Sequence, residues 1–397
     1  MMGRFDLRIL AMGHLLLICS SYAVPQSDTS GLTDIFQMGG YVKYLFSATN
    51  TPAIGRVNDH LLHARLNGKF FFSEELRGDV EIRNRIYYGG SVSNSPDFLT
   101  SIRADHDLPN ADVVWWNNGS SVGYSELDRL WLDATLGRFQ CTIGRQRIAW
   151  GTALVWNPTD LFNPLSVLDF DYEERPGVDA IHMQYFSSAV SKVELAIKPG
   201  KNRLRRVVAG KILINRWAYD FHFLGGEQGG YPFAGLAWAG DIAGGGFRGE
   251  LISKKISDET VTLFPSLHNT WSTSVALSGD YTFPSDTYIH TEVLYNNRGT
   301  PGSAAGDLLR SQMLGLLSSA RWSLYQELSF DLHPLVRATA FVIYNPDDHS
   351  SVWVPSLAWS VVENVDISFF GLLFEGKSGT EYGDFGQSLF LRGKYSF

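Results

Sequence analysis

The sequence predicts an all-β chain that closes into a transmembrane antiparallel β-barrel of about 16–18 strands. Three observations carry that expectation. Apolar and polar side chains alternate over many stretches of strand length. The breaks between those stretches alternate short and long. Beyond the N-terminal segment, no continuous apolar run reaches 18 residues, so no transmembrane helix is expected. A chain that crosses a bilayer without helices must satisfy its backbone by closing a sheet on itself.

Composition narrows the function classes. Charged residues make up 19% of the 397, below the roughly 25% of ordinary soluble domains. The net charge of −8, with no basic arm or lysine block, argues against a nucleic-acid binder. The N-terminus has the layout of an export signal. Arg4 and Arg8 precede the apolar stretch "ILAMGHLLLIC", Ile9–Cys19, and Ser21-Tyr22-Ala23 offers a small-x-small cleavage site. The expected division is residues 1–23 as signal peptide and 24–397 as barrel. Only about a dozen residues then precede Phe36, which leaves no room for a plug domain. Cys19 leaves with the signal, and Cys141 has no internal disulfide partner.

The alternation is clearest in "ELRGDVEIRNRIY". Leu76, Gly78, Val80, Ile82 and Ile86 share one face, on which only Asn84 is polar. Glu75, Arg77, Asp79, Glu81, Arg83, Arg85 and Tyr87 share the other. The run before it sets Leu62, Ala64, Leu66, Phe70 and Phe72 against His63, Arg65, Asn67 and Lys69. A later run sets Leu130, Leu132, Ala134 and Leu136 against Arg129, Trp131, Asp133 and Thr135. Period-two alternation is the strand signal. Eighteen such runs lie between residue 36 and residue 397. Tight turns at Ser73-Glu74, Gly137-Arg138, Asn215-Arg216 and Glu363-Asn364 alternate with longer connections, the longest at 88–126. That rhythm is the pattern of an outer-membrane barrel. Aromatics near strand ends, among them Tyr41, Tyr44, Tyr88, Trp150, Phe283, Trp353 and Trp359, are expected to form interfacial girdles.

The last stretch, "LFLRGKYSF", places Leu389, Leu391, Gly393, Tyr395 and Phe397 on one face. The final strand must pair with the first to close a barrel. A terminal Phe397 with Tyr395 two residues earlier resembles the C-terminal signal of Gram-negative outer-membrane barrels. The resemblance implies recognition by the barrel-assembly machinery and residence in outer-membrane lipid.

The segment 144–177, "GRQRIAWGTALVWNPTDLFNPLSVLDFDYEERPG", does not alternate. Asn157-Pro158 and Asn163-Pro164 favour turns. Asp160, Asp169, Asp171, Glu173 and Glu174, followed by Arg175, make it acidic. It is the third long connection. By position and acidity it resembles the lumen-folded loop of trimeric general porins, and the run "GRQRIAWG…WNPTDLFNP…EERPGVDA" resembles porin-like outer-membrane proteins. That resemblance implies a third loop folded into the lumen and admits a homotrimer.

Opposite such a loop, Arg65, Lys69, Arg77, Arg83, Arg85 and Arg129 form a candidate pore-lining basic wall. Arg145 and Arg147 continue it if a bulge near Gly144 resets the alternation of "FQCTIGRQRI". Opposed charges across a constriction set up a transverse field that filters small hydrophilic solutes. The structural alternative is cross-strand ion pairing with Glu75, Asp79, Glu81 and Asp133 on the same inner faces. Asp169, Asp171 and Glu173 could also take a calcium ion, but no EF-hand loop with its glycine is present. No metal, cofactor or enzymatic activity is expected: there is no G-x-S-x-G elbow, H-E-x-x-H, C-x-x-C or Walker pattern. Residues 304–319 have the spacing of a short amphipathic helix at the mouth, with Leu309, Met313 and Leu316 on one side. The expected function is a porin-like channel for passive diffusion across a bacterial outer membrane. A channel specific for an anion or acidic sugar, and a non-conducting barrel serving adhesion or surface architecture, are the alternatives.

Overall fold

The computed structural model describes residues 35–52, 55–103, 111–162, 176–267 and 271–397. The expected signal peptide lies outside them. Nineteen strands occur among the described residues. The first arc comprises β1 (Phe36–Thr51), β2 (Gly55–Phe71), β3 (Leu76–Gly89), β4 (Val113–Asn117), β5 (Ser121–Leu136) and β6 (Phe139–Gln146). The second comprises β7 (Val178–Phe186), β8 (Lys192–Lys198), β9 (Val207–Arg216), β10 (Tyr219–Gln228), β11 (Tyr231–Ile242), β12 (Gly245–Lys255) and β13 (Trp271–Thr282). The third comprises β14 (Tyr288–Asn296), β15 (Trp322–His333), β16 (Val336–Asn345), β17 (Ser350–Val362), β18 (Val365–Glu375) and β19 (Gln387–Ser396). Short helices sit in the long connections: α1 (Gly90–Asn94), α2 (Phe98–Ile102), α3 (Asp258–Leu263) and α4 (Leu308–Leu314).

Every strand pairs antiparallel with its neighbours, and β19 pairs back onto β1 from Tyr41↔Ser396 to Asn50↔Gln387. Eighteen strands therefore close the barrel. The extra one, β4, lies inside the long 90–120 connection and escaped the sequence reading. It pairs along the upper part of β5, above the point where β6 ends. The strands β6 to β8 are only 8, 9 and 7 residues long, so without β4 that part of β5 would expose a free edge.

Closure depends on close backbone approach at the chain's end. Phe397 N–H donates to Gly40 O at 3.0 Å, and Gly40 N–H donates to Phe397 O at 2.9 Å. A Cβ at Gly40 would lie 2.1 Å from the Arg65 carbonyl oxygen and 3.2 Å from the Phe397 ring. Only glycine fits there.

The polarity of the barrel is inverted relative to a soluble sheet. Leu62, Leu66, Leu130, Leu132, Ile143, Leu195, Phe223, Leu251, Leu277, Leu324, Leu357, Leu389 and Leu391 are exposed on the outside. Lys43, Arg65, Glu81, Arg83, Glu126, Asp128, Glu194, Glu250 and Glu292 are buried inside. Asn84 lies outside as expected and is satisfied locally: it donates to Ala64 O at 3.3 Å and accepts from Ser125 Oγ at 2.7 Å. The girdle expectation, which also took in Tyr87, needs correction at three residues, and Tyr87 packs inward against Leu45, Leu61 and Tyr124. Tyr44, Tyr88, Phe283, Trp353 and Trp359 are exposed, but Tyr41 and Trp150 are buried inside the barrel. Tyr41 packs beneath the ammonium groups of Lys43 and Lys394, and Trp150 belongs to the inward loop.

Substituting Gly40 by valine should block closure. The outcome to look for is loss of the fast-migrating, heat-modifiable form in cold electrophoresis, since overpacking a tight site costs about 1–3 kcal/mol or more. Normal folding of Gly40→Val would show that the β1–β19 seam is not the limiting contact.

Candidate functional site

The connection between β6 and β7 turns into the barrel, and its described part, residues 147–162, lines the inner wall. Two buried glutamates hold it there. Glu250 on β12 accepts from Thr152 N–H, from Ala153 N–H at 2.8 Å, and from Thr159 N–H and Oγ1 at 2.9 and 2.6 Å. Glu292 on β14 accepts from Leu154, Val155 and Trp156 N–H at 3.3, 3.2 and 2.6 Å. Both carboxylates are fully buried. Irregular backbone inside a barrel cannot pair in the sheet, so its amides need acceptors from the wall. Hydrogen bonds to a charged group contribute roughly 1.5–3 kcal/mol each.

Apolar packing completes the attachment. Ile148, Trp150, Leu161 and Phe162 form one buried cluster with Ala180, Ala196, Val207, Ala209, Leu224, Phe233 and Ile252. Small residues on the inner faces of β7 to β9 leave room for the loop. Trp150 meets Phe162 edge-on, with ring centroids 5.1 Å apart, and its indole N–H donates to Glu194 at 3.2 Å. The Lys211 ammonium lies over the same indole, 5.2 Å from the centroid. Further along, Trp156 joins a second cluster with Ala276, Leu294, Tyr325 and Ile343. Gly151 permits the turn between the two clusters, because a Cβ there would fall 2.1 Å from the Asn157 side-chain oxygen.

The opposite arc, β2, β3 and β5, carries the predicted basic residues. Arg65, Arg83 and Arg85 are nearly fully buried, as is Arg145 on β6. Arg129 is partly buried, while Lys69, Arg77 and Arg147 are exposed. Several sit in ion-pair ladders. Arg65 meets Glu81, and Asp128 at 2.6 Å. Arg83 meets Asp128 at 2.7 Å and Glu126 at 3.2 Å. Arg129 meets Glu81 at 3.3 Å, Arg77 meets Asp133 at 3.0 Å, and Arg145 meets Asp179 at 3.0 Å. Arg85 stacks on Tyr124, 6.0 Å from its centroid, and donates to that hydroxyl at 3.2 Å.

Two backbone irregularities build this wall. The β3–β5 register slips between Glu81 and Ile82, which turns Asp128 inward between Arg65 and Arg83. Gly144 adopts φ +119°, which breaks the alternation so that Ile143 faces out and Arg145 faces in. No register shift accompanies it in the pairing of β6 with either neighbour, so the distortion is confined to one residue. Arg147 lies beyond the end of β6.

Of the acidic loop residues, Asp160 is buried. Asp169, Asp171, Glu173, Glu174 and Arg175 lie outside the described residues. Tyr395 is exposed on the outer face of β19, and its ring stands 6.2 Å from that of Phe397.

The sequence reading missed the residues that hold the loop. Glu250 and Glu292 sit on inner positions of β12 and β14, so alternation could have placed them. Nothing local marks them as amide acceptors. His290 also gains a partner that spacing does not show: Ser278 Oγ lies 2.9 Å from its Nε2. Glu327 is 3.9 Å from Nδ1, beyond hydrogen-bond reach, and Glu292 is 3.4 Å from Nε2. Ser278 and His290 are both buried, so this group braces the Glu292 anchor.

At the long-loop end, Glu381 ties three connections together. It accepts from Ser318 Oγ at 2.7 Å, Ser319 N–H at 3.2 Å and Asn345 Nδ2 at 3.1 Å. Burial pushes its carboxyl up from the ordinary range, and nearby Asp348 adds to the shift. The predicted helix in 304–319 is present as α4, but a different face is buried. Leu314 and Ser311 face inward, while Leu309 is exposed.

No protein-family model and no curated protein matches the chain by sequence. Solved structures match it in fold. Pseudomonas aeruginosa OccK5 (OpdH) superposes with a TM-score of 0.59 at 8% identity, over 93% of this chain and 99% of that one. OccK8 (OprE) of the same organism gives 0.56 at 11% identity, again over 93% and 99%. Salmonella typhi OmpF, in complex with daunomycin, gives 0.50 at 9% identity, over 91% and 97%. At these identities the likeness is one of architecture.

Two outcomes are expected. Replacing Glu250 and Glu292 together by alanine should release the loop and leave its amides unsatisfied, lowering stability by about 3 kcal/mol or more. Denaturant unfolding followed by tryptophan fluorescence would measure this, and unchanged stability would remove the anchor. For Glu381, a carboxyl raised in the folded state adds stability that is full at low pH and lost as pH rises through its folded pKa. Limited proteolysis of the loop end should therefore be slower at low pH than at neutral pH, and Glu381→Gln should flatten that dependence.

Proposed function

We propose that the protein is a porin-like channel of a bacterial outer membrane, passing small hydrophilic solutes by passive diffusion. The observation that carries this reading is the internal loop, latched to Glu250 and Glu292 on one side of an 18-strand barrel and facing a wall rich in arginine. An apolar exterior and a charged interior suit a bilayer crossing, and barrels of this strand number enclose an aqueous channel. The fold shared with OccK5, OccK8 and OmpF supports the same reading. In this proposal the export signal directs the chain outward, and the β19 seam is the element read during assembly. The short turns face the periplasm and the long connections face outward.

The near-complete burial of Arg65 and Arg83 beside carboxylates supports the cross-strand ladder as their role, and Lys69, Arg77 and Arg147 are the exposed cations that the second reading, a channel for an anion or acidic sugar, would use. The ladders with Glu81, Glu126 and Asp128 fix the guanidinium positions. Removing one partner leaves a buried charge uncompensated, typically at a cost of roughly 3–5 kcal/mol.

Single-channel recording in a planar bilayer under a salt gradient tests the proposal. Discrete conductance steps with a reversal potential off zero are expected. A folded, heat-modifiable barrel that never conducts would sink the channel reading and leave the architectural one. Neutralising Asp169, Asp171, Glu173 and Glu174 together should move the reversal potential toward anion selectivity. An unchanged potential would take that part of the loop out of the pore.

A further inference from the structure

A strongly basic ledge lies at the long-connection end of the barrel. The stretch joining β8 to β9, "KPGKNRLRR", carries Lys198, Lys201, Arg203, Arg205 and Arg206, and no acidic residue occurs between Glu194 and Asp220. Other long connections are acidic or mixed. Asp258 and Glu259 stand in α3, Asp347 and Asp348 lie between β16 and β17, and Glu381 and Asp384 precede β19. Positive charge is therefore concentrated at one point of the rim.

The backbone gives the ledge a defined shape. A 3₁₀ turn, Arg203–Arg205, is capped by the Asn202 side chain, which accepts from Arg205 N–H at 3.2 Å. Gly200, at φ +69°, lies against it: a Cβ there would fall 2.6 Å from the Arg205 carbonyl carbon. The Arg203 guanidinium rests on Gly230 of the β10–β11 turn, where a Cβ would come within 2.6 Å of Nη2. Arg206 pairs with Glu227. Lys201, Arg203 and Arg206 are exposed, and so is Leu204 among them.

Height fixes what the ledge meets. β8 has 7 residues, against 16 and 17 in β1 and β2. At about 3.4 Å per residue and a tilt of about 40°, β8 gives roughly 18 Å of wall, short of an apolar band about 25 Å tall. The cations that follow it thus stand at headgroup depth. Below them Val193, Leu195 and Ile212 face outward on β8 and β9, a surface for acyl chains. Basic residues at a membrane surface attract anionic lipid, and guanidinium groups match phosphate geometry. We propose that this ledge binds a phosphate-bearing glycolipid of the outer leaflet, its phosphate on Lys201, Arg203 and Arg206 and its acyl chains against Leu204 and the outer face of β8 and β9. The assignment rests on the long connections facing outward and does not depend on conduction.

Native mass spectrometry of the full, detergent-solubilised barrel with lipid A, a bisphosphorylated and acylated glucosamine disaccharide, tests this. One retained lipid A is expected, and the same lipid stripped of its phosphates should not be retained. Lys201→Gln with Arg203→Gln should weaken retention by roughly tenfold or more, while Lys201→Arg with Arg203→Lys should stay within a few-fold of the parent chain. Both positions are on the surface, and heat-modifiable migration checks that each variant is folded. Parent-like retention by the folded glutamine variant would overturn the proposal, as would failure of the parent chain to retain lipid A or equal retention of the dephosphorylated lipid. Displacement by an equal concentration of inorganic phosphate would make this a site for a soluble anion and overturn it as well. Orientation is read separately with Pro199→Cys and a membrane-impermeant maleimide on intact cells, with the parent chain as background. Labelling without permeabilisation is expected, and labelling only after permeabilisation would place the ledge in the periplasm and overturn the proposal.

Discussion

The interior of this barrel depends on two buried carboxylates that accept the amides of an irregular loop. Glu250 and Glu292 take hydrogen bonds from Thr152 through Trp156 and from Thr159. A loop that leaves the sheet and enters the lumen carries a row of donors with no strand partner. Those donors would otherwise need water or distort the fold. The anchors allow Trp150, Leu161, Phe162 and Trp156 to bury against the wall. Each fully buried Leu or Phe adds roughly 1.5–3 kcal/mol. The lumen is thereby divided into an arc covered by loop and an arc of paired charges.

The charged arc obeys a different constraint. Arg65, Arg83 and Arg145 are buried this deeply with carboxylates beside them, which offsets the cost of taking their charge out of water. Asp128 meets that need for two arginines at once, and it does so because the strand bulges there. Pairing holds Arg65 and Arg83 in place as the ladder alternative expects.

Much of the architecture was legible in the sequence because a barrel wall obeys one period. Each strand has one apolar and one polar face, and a one-residue slip would reverse both. That is why the runs at 62–70, 76–86 and 129–136 read correctly. The short β4 escaped because "VVWWN" lacks alternation and sits in a long connection. Tyr41 and Trp150 were misplaced for a related reason. Position near a strand end does not say whether an aromatic faces lipid or lumen.

The sequence by itself determined the barrel, its strand positions, the candidate wall and the loop expected to enter it. Those follow from local alternation, turn residues and a break in the pattern. The tertiary structure decided which carboxylates hold the loop and which arginines are paired. These are contacts between residues far apart in the chain, 138 positions in the case of Leu154 and Glu292. No local pattern encodes them, because they exist only once the sheet has closed and set distant inner faces against the same loop.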